Sequence, residues 1–525
     1  MAKTKRGKSK KPSASANPKT IFRSISTLEL LALGTCLLVG IVYAFKSPGA
    51  YQDDDLDRYY LSMRALMEPK LFLDRWSMPL PTLLFALPAK TFGYIGVELL
   101  TVLITTATAW FTSRAAKSLG FAHPWFVILL FFFQPIALEL CYSALAEPVG
   151  ALLVALAFYF WYQGKAGPSL WVLGLLPLAR IEGVFLLGIF FLAAWRKTTW
   201  KDWLIAALPL VIWNGLGFLV HGDALYVLGG GGGRPLNSLG VWHYAKNLIV
   251  IAGTAILFFV VWGLGSLGRS QSKAPLLALV VTVLHLIALS LLGWDALPVG
   301  RSIGFLRHVL TISPAIALVA GFGFSEWLLG GKRVPSLVLA ALWCVAVFFF
   351  FSHELIAHSF LGDNRVVWRW MVSLGLLLVG LLLTLLRDRV GLRRVAVAVA
   401  AILVLAPSMF VVRPKTLDAE KKAIQRTIDY MVQNNIQNRP TYSNHPWFFF
   451  LSGRDRYDLV NTPRLTTENL DTAPVGTLVL WENHYGNRLY GDVEISDLRA
   501  DPRFRRILEL SADRFAVIMF ERISP

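Results

Sequence analysis

Apolar residues run through this chain in long blocks, and the polar residues fall between them. Residues 28–45 and 395–412 are two such blocks, each close to the ~20 residues that cross a hydrocarbon core. Similar blocks recur through the first four hundred residues, and their alternation predicts about thirteen membrane-spanning helices. The first span is placed at residues 27–45, behind a polar tail of residues 1–26. From residue 413 to residue 525 the pattern changes to a polar, mixed-charge stretch, long enough to fold as a small domain by itself. In that stretch Thr416 or Asp418 caps a helix running through Asn434, with Ile424, Ile428 and Met431 on one face. Residues 477–481 and 515–520 read as buried strands. The expected fold is an all-α polytopic membrane domain, residues 27–412, followed by a small extracytoplasmic α/β domain, residues 413–525.

Composition supports that division. The 525 residues are 55% hydrophobic and 16% charged, against about 25% charged in ordinary soluble domains. A net charge of +18 would suit a nucleic-acid partner if it were gathered on one surface. Instead the lysines and arginines sit in short clusters between apolar blocks, the pattern of the positive-inside rule. The expected partner is the lipid bilayer, with no nucleic acid. The tail carries Lys3, Lys5, Arg6, Lys8, Lys10, Lys11, Lys19 and Arg23, with no acid before Glu29, so it is placed in the cytoplasm and read as uncleaved. Alternating sides from there, every second turn is basic, from Arg114 and Lys117 to Arg393 and Arg394. Three cysteines, Cys36, Cys141 and Cys344, lie in or beside apolar segments and suggest no disulfide framework.

The opposite turns hold most of the acids, including Glu139, Glu147, Glu182 and Asp223. The positive-inside rule does not depend on acids, so their one-sided placement points to chemistry on the extracytoplasmic side. Its densest part is Tyr51-Gln-Asp-Asp-Asp-Leu-Asp-Arg-Tyr-Tyr60, in a first loop spanning residues 46–81. Crowded carboxylates suit a general base. They also suit a divalent cation, Mg or Mn, for which Asp53 and Asp55 would be the ligands. Arg58 is expected to pair with the adjacent aspartates. The apolar-rich stretch from Tyr59 to Met67 is expected to lie along the membrane surface. Five glycines, residues 229–233, exclude a stable helix there and lack the Gly-Lys-Ser/Thr ending of a phosphate-binding loop, so a loop over the site is expected. His353 and His358 are spaced wrongly for the zinc-protease motif.

Several elements in order carry a family resemblance. The aspartate run follows the first span, and Asp74-Arg-Trp-Ser-Met-Pro-Leu-Pro81 leads through Phe92-Gly93 into the second. Tyr142-Ser-Ala-Leu-Ala-Glu-Pro148 opens the fourth span, Ala179-Arg-Ile-Glu-Gly183 sits at a hairpin tip, and Gly304-Phe-Leu-Arg-His-Val-Leu-Thr-Ile-Ser-Pro314 leads into a late span. In this order they resemble the GT-C superfamily of membrane glycosyltransferases, to which protein O-mannosyltransferases, lipid A aminoarabinose transferases and dolichol-phosphate-mannose-dependent mannosyltransferases belong. Ile181 stands where that family has Pro, His308 where it has Tyr, and Met78-Pro-Leu-Pro81 is the nearest element to its His-Pro-Pro-Leu.

The resemblance implies an inverting-type glycosyltransferase with a polyprenyl-phosphate-sugar donor and a glycan, lipid or protein acceptor. It implies catalysis by an aspartate of the first loop, favouring Asp54 and Asp55 over Asp53. Several branches of the family use no metal. Because negative charge grows on a departing lipid phosphate, arginines suit its binding, and Arg307, Arg301 and Arg180 are the candidates. Glu147, Glu182, Asp57, Trp76 and His308 are candidates for holding sugar or acceptor. The C-terminal domain is expected to recognise the acceptor or shield the site. A bacterial inner membrane is the expected location, with the C-terminal domain periplasmic. The competing classes are a lipid-linked-sugar flippase, which would carry ionisable groups near span centres, and an oligosaccharide ligase or polymerase.

Overall fold

The computed structural model describes residues 25–47, 49, 53–228, 243–267, 273–291, 306–329, 375, 378, 393–458, 460, 462–486, 493–512 and 515–525. The expected glycine-rich loop and the His353/His358 pair lie outside the described residues, as does most of the stretch between the helices ending at Leu329 and starting at Arg393.

The membrane part runs through helices α1 (Thr27–Lys46), α2 (Asp53–Ala65), α3 (Pro79–Ser118), α4 (Phe126–Phe132), α5 (Pro135–Leu140), α6 (Glu147–Tyr162), α7 (Ala166–Gly174), α8 (Gly183–Ala194), α9 (Trp200–His221), α10 (His243–Ala252), α11 (Thr254–Ser266), α12 (Leu276–Leu291), α13 (Ser313–Leu329) and α14 (Arg393–Val411). Among the described residues, five helical stretches are long and apolar enough to cross a membrane, and five shorter apolar helices accompany them. α1 starts with a capping box. The Glu29 amide donates to the Ser26 hydroxyl, and the Ser26 amide donates to the Glu29 carboxylate at 2.8 Å, satisfying two otherwise free amides. α3 bends at Gly93, whose φ of +68° and ψ of −156° suit glycine alone. Below the bend Thr101, Thr105, Thr108 and Thr112 return their hydroxyls to carbonyls four residues back, so these polar side chains cost little in an apolar setting.

α13 is the central element and is buried along its length. Its Gly323 lets the backbone of α11 come so close that a Cβ there would stand 1.7 Å from the Phe259 carbonyl oxygen. Small residues permitting close approach are the usual basis of helix association in lipid.

The sequence places the first-loop aspartates ahead of a surface helix at Tyr59. The structure starts that helix at Asp53 instead, with Asp53, Asp54 and Asp55 forming its first turn. Negative charge is stabilised there by the free amides and the helix dipole. Arg58 does not pair with them, contrary to expectation. It donates to the carbonyls of Ser77 and Trp76 and lies 4.7 Å from the Trp76 ring centroid. Its position on the helix points it at the chain leading into α3.

After α14 the chain is tied down at once. The Tyr43 hydroxyl donates to the Val412 carbonyl at 2.8 Å, and Lys415 pairs with Glu139. The C-terminal domain follows with α15 (Ala419–Gln433), β1 (Thr441–Tyr442), α16 (Pro446–Ser452), α17 (Thr467–Thr472), β2 (Leu478–Glu482), α18 (Ile495–Ala500), β3 (Phe504–Ala512) and β4 (Phe515–Arg522). Asp418, of the two expected candidates, caps α15 by accepting the Lys421 amide at 2.9 Å, and Ile424, Ile428 and Met431 are buried as expected. The sheet order is β1-β2-β4-β3, with β1 parallel to β2 and the other pairs antiparallel. Leu478, Leu480, Val517 and Met519 face the large core shared with the helices, while Val479, Trp481, Ile518 and Phe520 face a second, smaller core. Burial on both faces explains why β2 and β4 read as continuous apolar runs.

Candidate functional site

α2 is the element that organises the site. Successive residues on a helix point about 100° apart, while positions four apart share a face. Its four aspartates therefore face three ways. Asp53 and Asp57 turn toward the C-terminal domain, Asp54 toward the segment ahead of α13, and Asp55 inward, where it is fully buried near Tyr94 and Glu98.

On the Asp54 side a chain of alternating charges is assembled from four segments. Arg307 donates to Asp54 at 2.6 Å and lies 3.3 Å from Glu147 Oε1. Arg180 joins Glu147 at 2.9 Å to Glu182 at 2.7 Å. His308 backs both acids at 3.9 and 4.0 Å. Glu147 opens α6 and Glu182 immediately precedes α8, both at helix starts where a carboxylate is favoured. The Glu147 side chain is 1% exposed whereas that of Asp54 is 34% exposed. Asp54 is thus the acid of the chain with the most open approach, and Glu147 is the buried charge to which both arginines are anchored. Burial, the largest influence on it, lowers the Arg58 guanidinium to about 10, against the pull of Glu147 and Asp54.

On the other face the C-terminal domain grips α2. The Trp447 indole donates to Asp53 Oδ1 at 2.8 Å, the Tyr485 hydroxyl donates to Oδ2, and Arg456 pairs with Asp57. Burial, and then the Asp53 charge, hold the proton on the Tyr485 phenol well above its ordinary range. Behind Trp447 and Tyr485 lie His445 and His484, both bonded to Glu420. Burial pushes the Glu420 carboxyl up, but its hydrogen bonds to the two histidines outweigh that and hold it well below the usual carboxylate range.

The expected residues thus divide. Asp54, Arg307, Arg180, Glu147, Glu182 and His308 come together. Asp53 and Asp57 sit at the domain contact, and Trp76 stacks with Arg58, which feels the charges of Glu147 and Asp54 without joining their ion pairs. Asp53 and Asp55 face different surroundings, the first at the domain contact and the second buried in the membrane part. Arg301 lies outside the described residues. Sequence reasoning missed Glu98, a buried acid inside α3, and the whole set Glu420, His445, Trp447, Arg456, His484 and Tyr485. In the sequence each of these is an isolated residue of a mixed-charge stretch, with no spacing to connect it to α2.

The fold is that of a polytopic helical membrane protein with a small C-terminal α/β domain. Its architecture is similar to that of ArnT from Cupriavidus metallidurans. The structure of ArnT bound to undecaprenyl phosphate superposes with a TM-score of 0.61 at 13% identity, covering 93% of this chain and 97% of ArnT. The apo structure of ArnT gives 0.60 at 14% identity over the same shares. No protein-family model matches the sequence, and no curated protein matches it.

Proposed function

We propose that this protein is an inverting glycosyltransferase that moves a single sugar from a polyprenyl-phosphate carrier to an acceptor at the outer face of a bacterial inner membrane. In this topology the N-terminal tail is cytoplasmic and the C-terminal domain periplasmic. The observation that carries the proposal is the contact of Asp54 with Arg307 at 2.6 Å, across 253 positions of sequence. It puts a part-exposed carboxylate and a phosphate-binding type of cation at one point, at the mouth of a buried charge chain. The ArnT fold, seen with undecaprenyl phosphate in that protein, supports a carrier of the same class here.

The chemistry follows from exchange of partners. When the donor's phosphate reaches Arg307, the planar guanidinium turns to it, and the Asp54 carboxylate is released to the acceptor hydroxyl. Asp54 then takes the proton of the acceptor hydroxyl as the oxygen attacks the anomeric carbon. The bond from that carbon to the phosphate oxygen breaks, and the electron pair leaves with the lipid phosphate, whose growing charge Arg307 stabilises. Arg180, Glu147, Glu182 and His308 hold Arg307 in position. Attack opposite the leaving phosphate inverts the anomeric centre.

The test is transfer by the purified protein in proteoliposomes, using a panel of radiolabelled polyprenyl-phosphate sugars. The expected result is labelled product and free polyprenyl phosphate in equal amounts. Labelled lipid that crosses the bilayer unconsumed would overturn the proposal in favour of a flippase, and donors accepted only as diphosphate-linked oligosaccharides would favour a ligase.

A further inference from the structure

Two histidines and a glutamate in the C-terminal domain converge from three separate elements. Glu420 lies in the first turn of α15, His445 caps α16, and His484 lies in the turn after β2. Glu420 Oε1 is 2.8 Å from His445 Nε2 and 2.8 Å from His484 Nδ1. One potential ligand atom from each residue lies within 4.8 Å of the others, and among the described residues this is the one such group of three.

We propose that Glu420, His445 and His484 form a binding site for a divalent transition metal, with zinc the best fit. Two imidazoles and one carboxylate are the donor set of three-ligand zinc sites, which leave a fourth position to water or another group. Magnesium and calcium prefer all-oxygen sets and are disfavoured. The site is partly open, as a metal needs for access. The His484 side chain is 39% exposed, while that of His445 is fully buried. The scaffold is also fixed. Glu482 accepts the backbone amides of His484 and Tyr485 at 2.6 to 3.0 Å, which holds the His484 turn in place.

One contact works against the metal and defines its cost. His445 Nδ1 accepts the Trp447 amide at 3.2 Å, which leaves its proton on Nε2, facing Glu420. A metal on Nε2 moves that proton to Nδ1 and opens the Trp447 amide contact, so metal binding and the capping of α16 compete for one ring. The spacing has to widen modestly as well, from hydrogen-bond contact to ligands sharing an ion at about 2.0–2.2 Å each.

The position gives the site a consequence. His445 is two residues from Trp447, and His484 is next to Tyr485, the two donors to Asp53. A metal joining these segments to α15 fixes both donors as one unit, and so ties the C-terminal domain to the helix that carries Asp54. The site does not depend on the proposed transfer reaction, and its test reads metal rather than product.

The full-length protein is purified with a tag free of histidine and without chelator, then dialysed against micromolar zinc. Metal content is measured by mass spectrometry. About one zinc per chain is expected, with affinity at least ~100-fold weaker in His484→Ala and His445→Ala, since losing even an outer contact of a zinc site costs 10–100-fold. The exposed position of His484 makes its variant the one expected to fold, which gel filtration and circular dichroism verify. An Asp53→Ala control keeps its metal. Independently of any variant, cobalt substituted into the stripped wild-type protein should give the visible absorption of a four-coordinate nitrogen and oxygen site. Wild-type protein that retains no zinc, retains as much in His484→Ala, or gives only the spectrum of aqueous cobalt overturns the proposal. The three side chains would then be a hydrogen-bonded clasp.

Discussion

Asp53 and Asp54 are neighbours of the same type in one helical turn, yet their surroundings differ in kind. Asp53 is held by the Trp447 indole and the Tyr485 phenol, and Asp57, one turn on, by Arg456. Those partners belong to the folded C-terminal domain and have no reason to leave. Asp54 instead meets Arg307, whose guanidinium also reaches Glu147, and which can trade a carboxylate for a phosphate. A carboxylate enclosed by fixed donors serves assembly, and one with an exchangeable cation can serve catalysis. The difference comes from helix geometry, which sends adjacent side chains to different neighbours.

The largest effect that bears on this comparison is expected at Glu147. Replacing it by alanine leaves Arg180 and Arg307 close together in a buried place without their shared anion, a kind of change that costs about 3–5 kcal/mol. Thermal unfolding in detergent should show it, while Asp57→Ala at the domain contact costs no more than about 1–3 kcal/mol. Equal losses at the two positions would erase the distinction. Next comes Arg307→Lys, which keeps the charge and gives up the planar fork. Transfer is expected to fall about 10²–10³-fold with little change in melting temperature, and an unchanged rate would remove Arg307 from the reaction.

On the Asp53 face, Tyr485→Phe is expected to cost about 1–3 kcal/mol by leaving a half-buried carboxylate short of a donor. A double-mutant cycle with Asp53→Ala should return a coupling of about 0.5–3 kcal/mol, and strict additivity would mean that the contact does not join the two parts in solution. The smallest effect is the response to acid. Hydrogen bonds from Arg439 and then Arg505 lower the Glu521 carboxyl, and those from Arg503 lower Asp501. Both folded-state values lie below the unfolded ones, so their contribution is present above the ordinary carboxylate range of about 4 and is lost as pH falls through the lowered values. The melting temperature should therefore drop slightly toward about pH 3, and less in Glu521→Gln, whose contribution is already gone.

Much of this was legible in the sequence where one periodicity dominates. α1, α14 and α15 begin and end close to where the apolar blocks and Asp418 place them, and the doubly buried strands β2 and β4 stand out as apolar runs. β3 did not, because exposed Arg505, Arg506 and Glu509 interrupt its apolar residues and a bulge between Arg506 and Leu508 breaks the strand's alternation. Of the charge cluster, Asp54, Glu147, Arg180, Glu182, Arg307 and His308 were singled out through the order of short motifs. Glu98 was hidden by the apolar run around it. The grip of Trp447, Tyr485 and Arg456 on α2 depends on contacts across 394, 432 and almost 400 positions, for which a single sequence gives no signal.

The most direct measurement is the turnover rate of Asp54→Asn and Asp53→Asn, side by side, in purified protein with one saturating polyprenyl-phosphate-sugar donor. Loss of a general base is expected to cost about 10²–10⁴-fold in Asp54→Asn, with the protein still folded, while Asp53→Asn keeps most of its turnover and loses stability instead. The reverse order, or equal loss in both, would contradict the division of labour between the two faces of α2 and with it the assignment of Asp54 as the base.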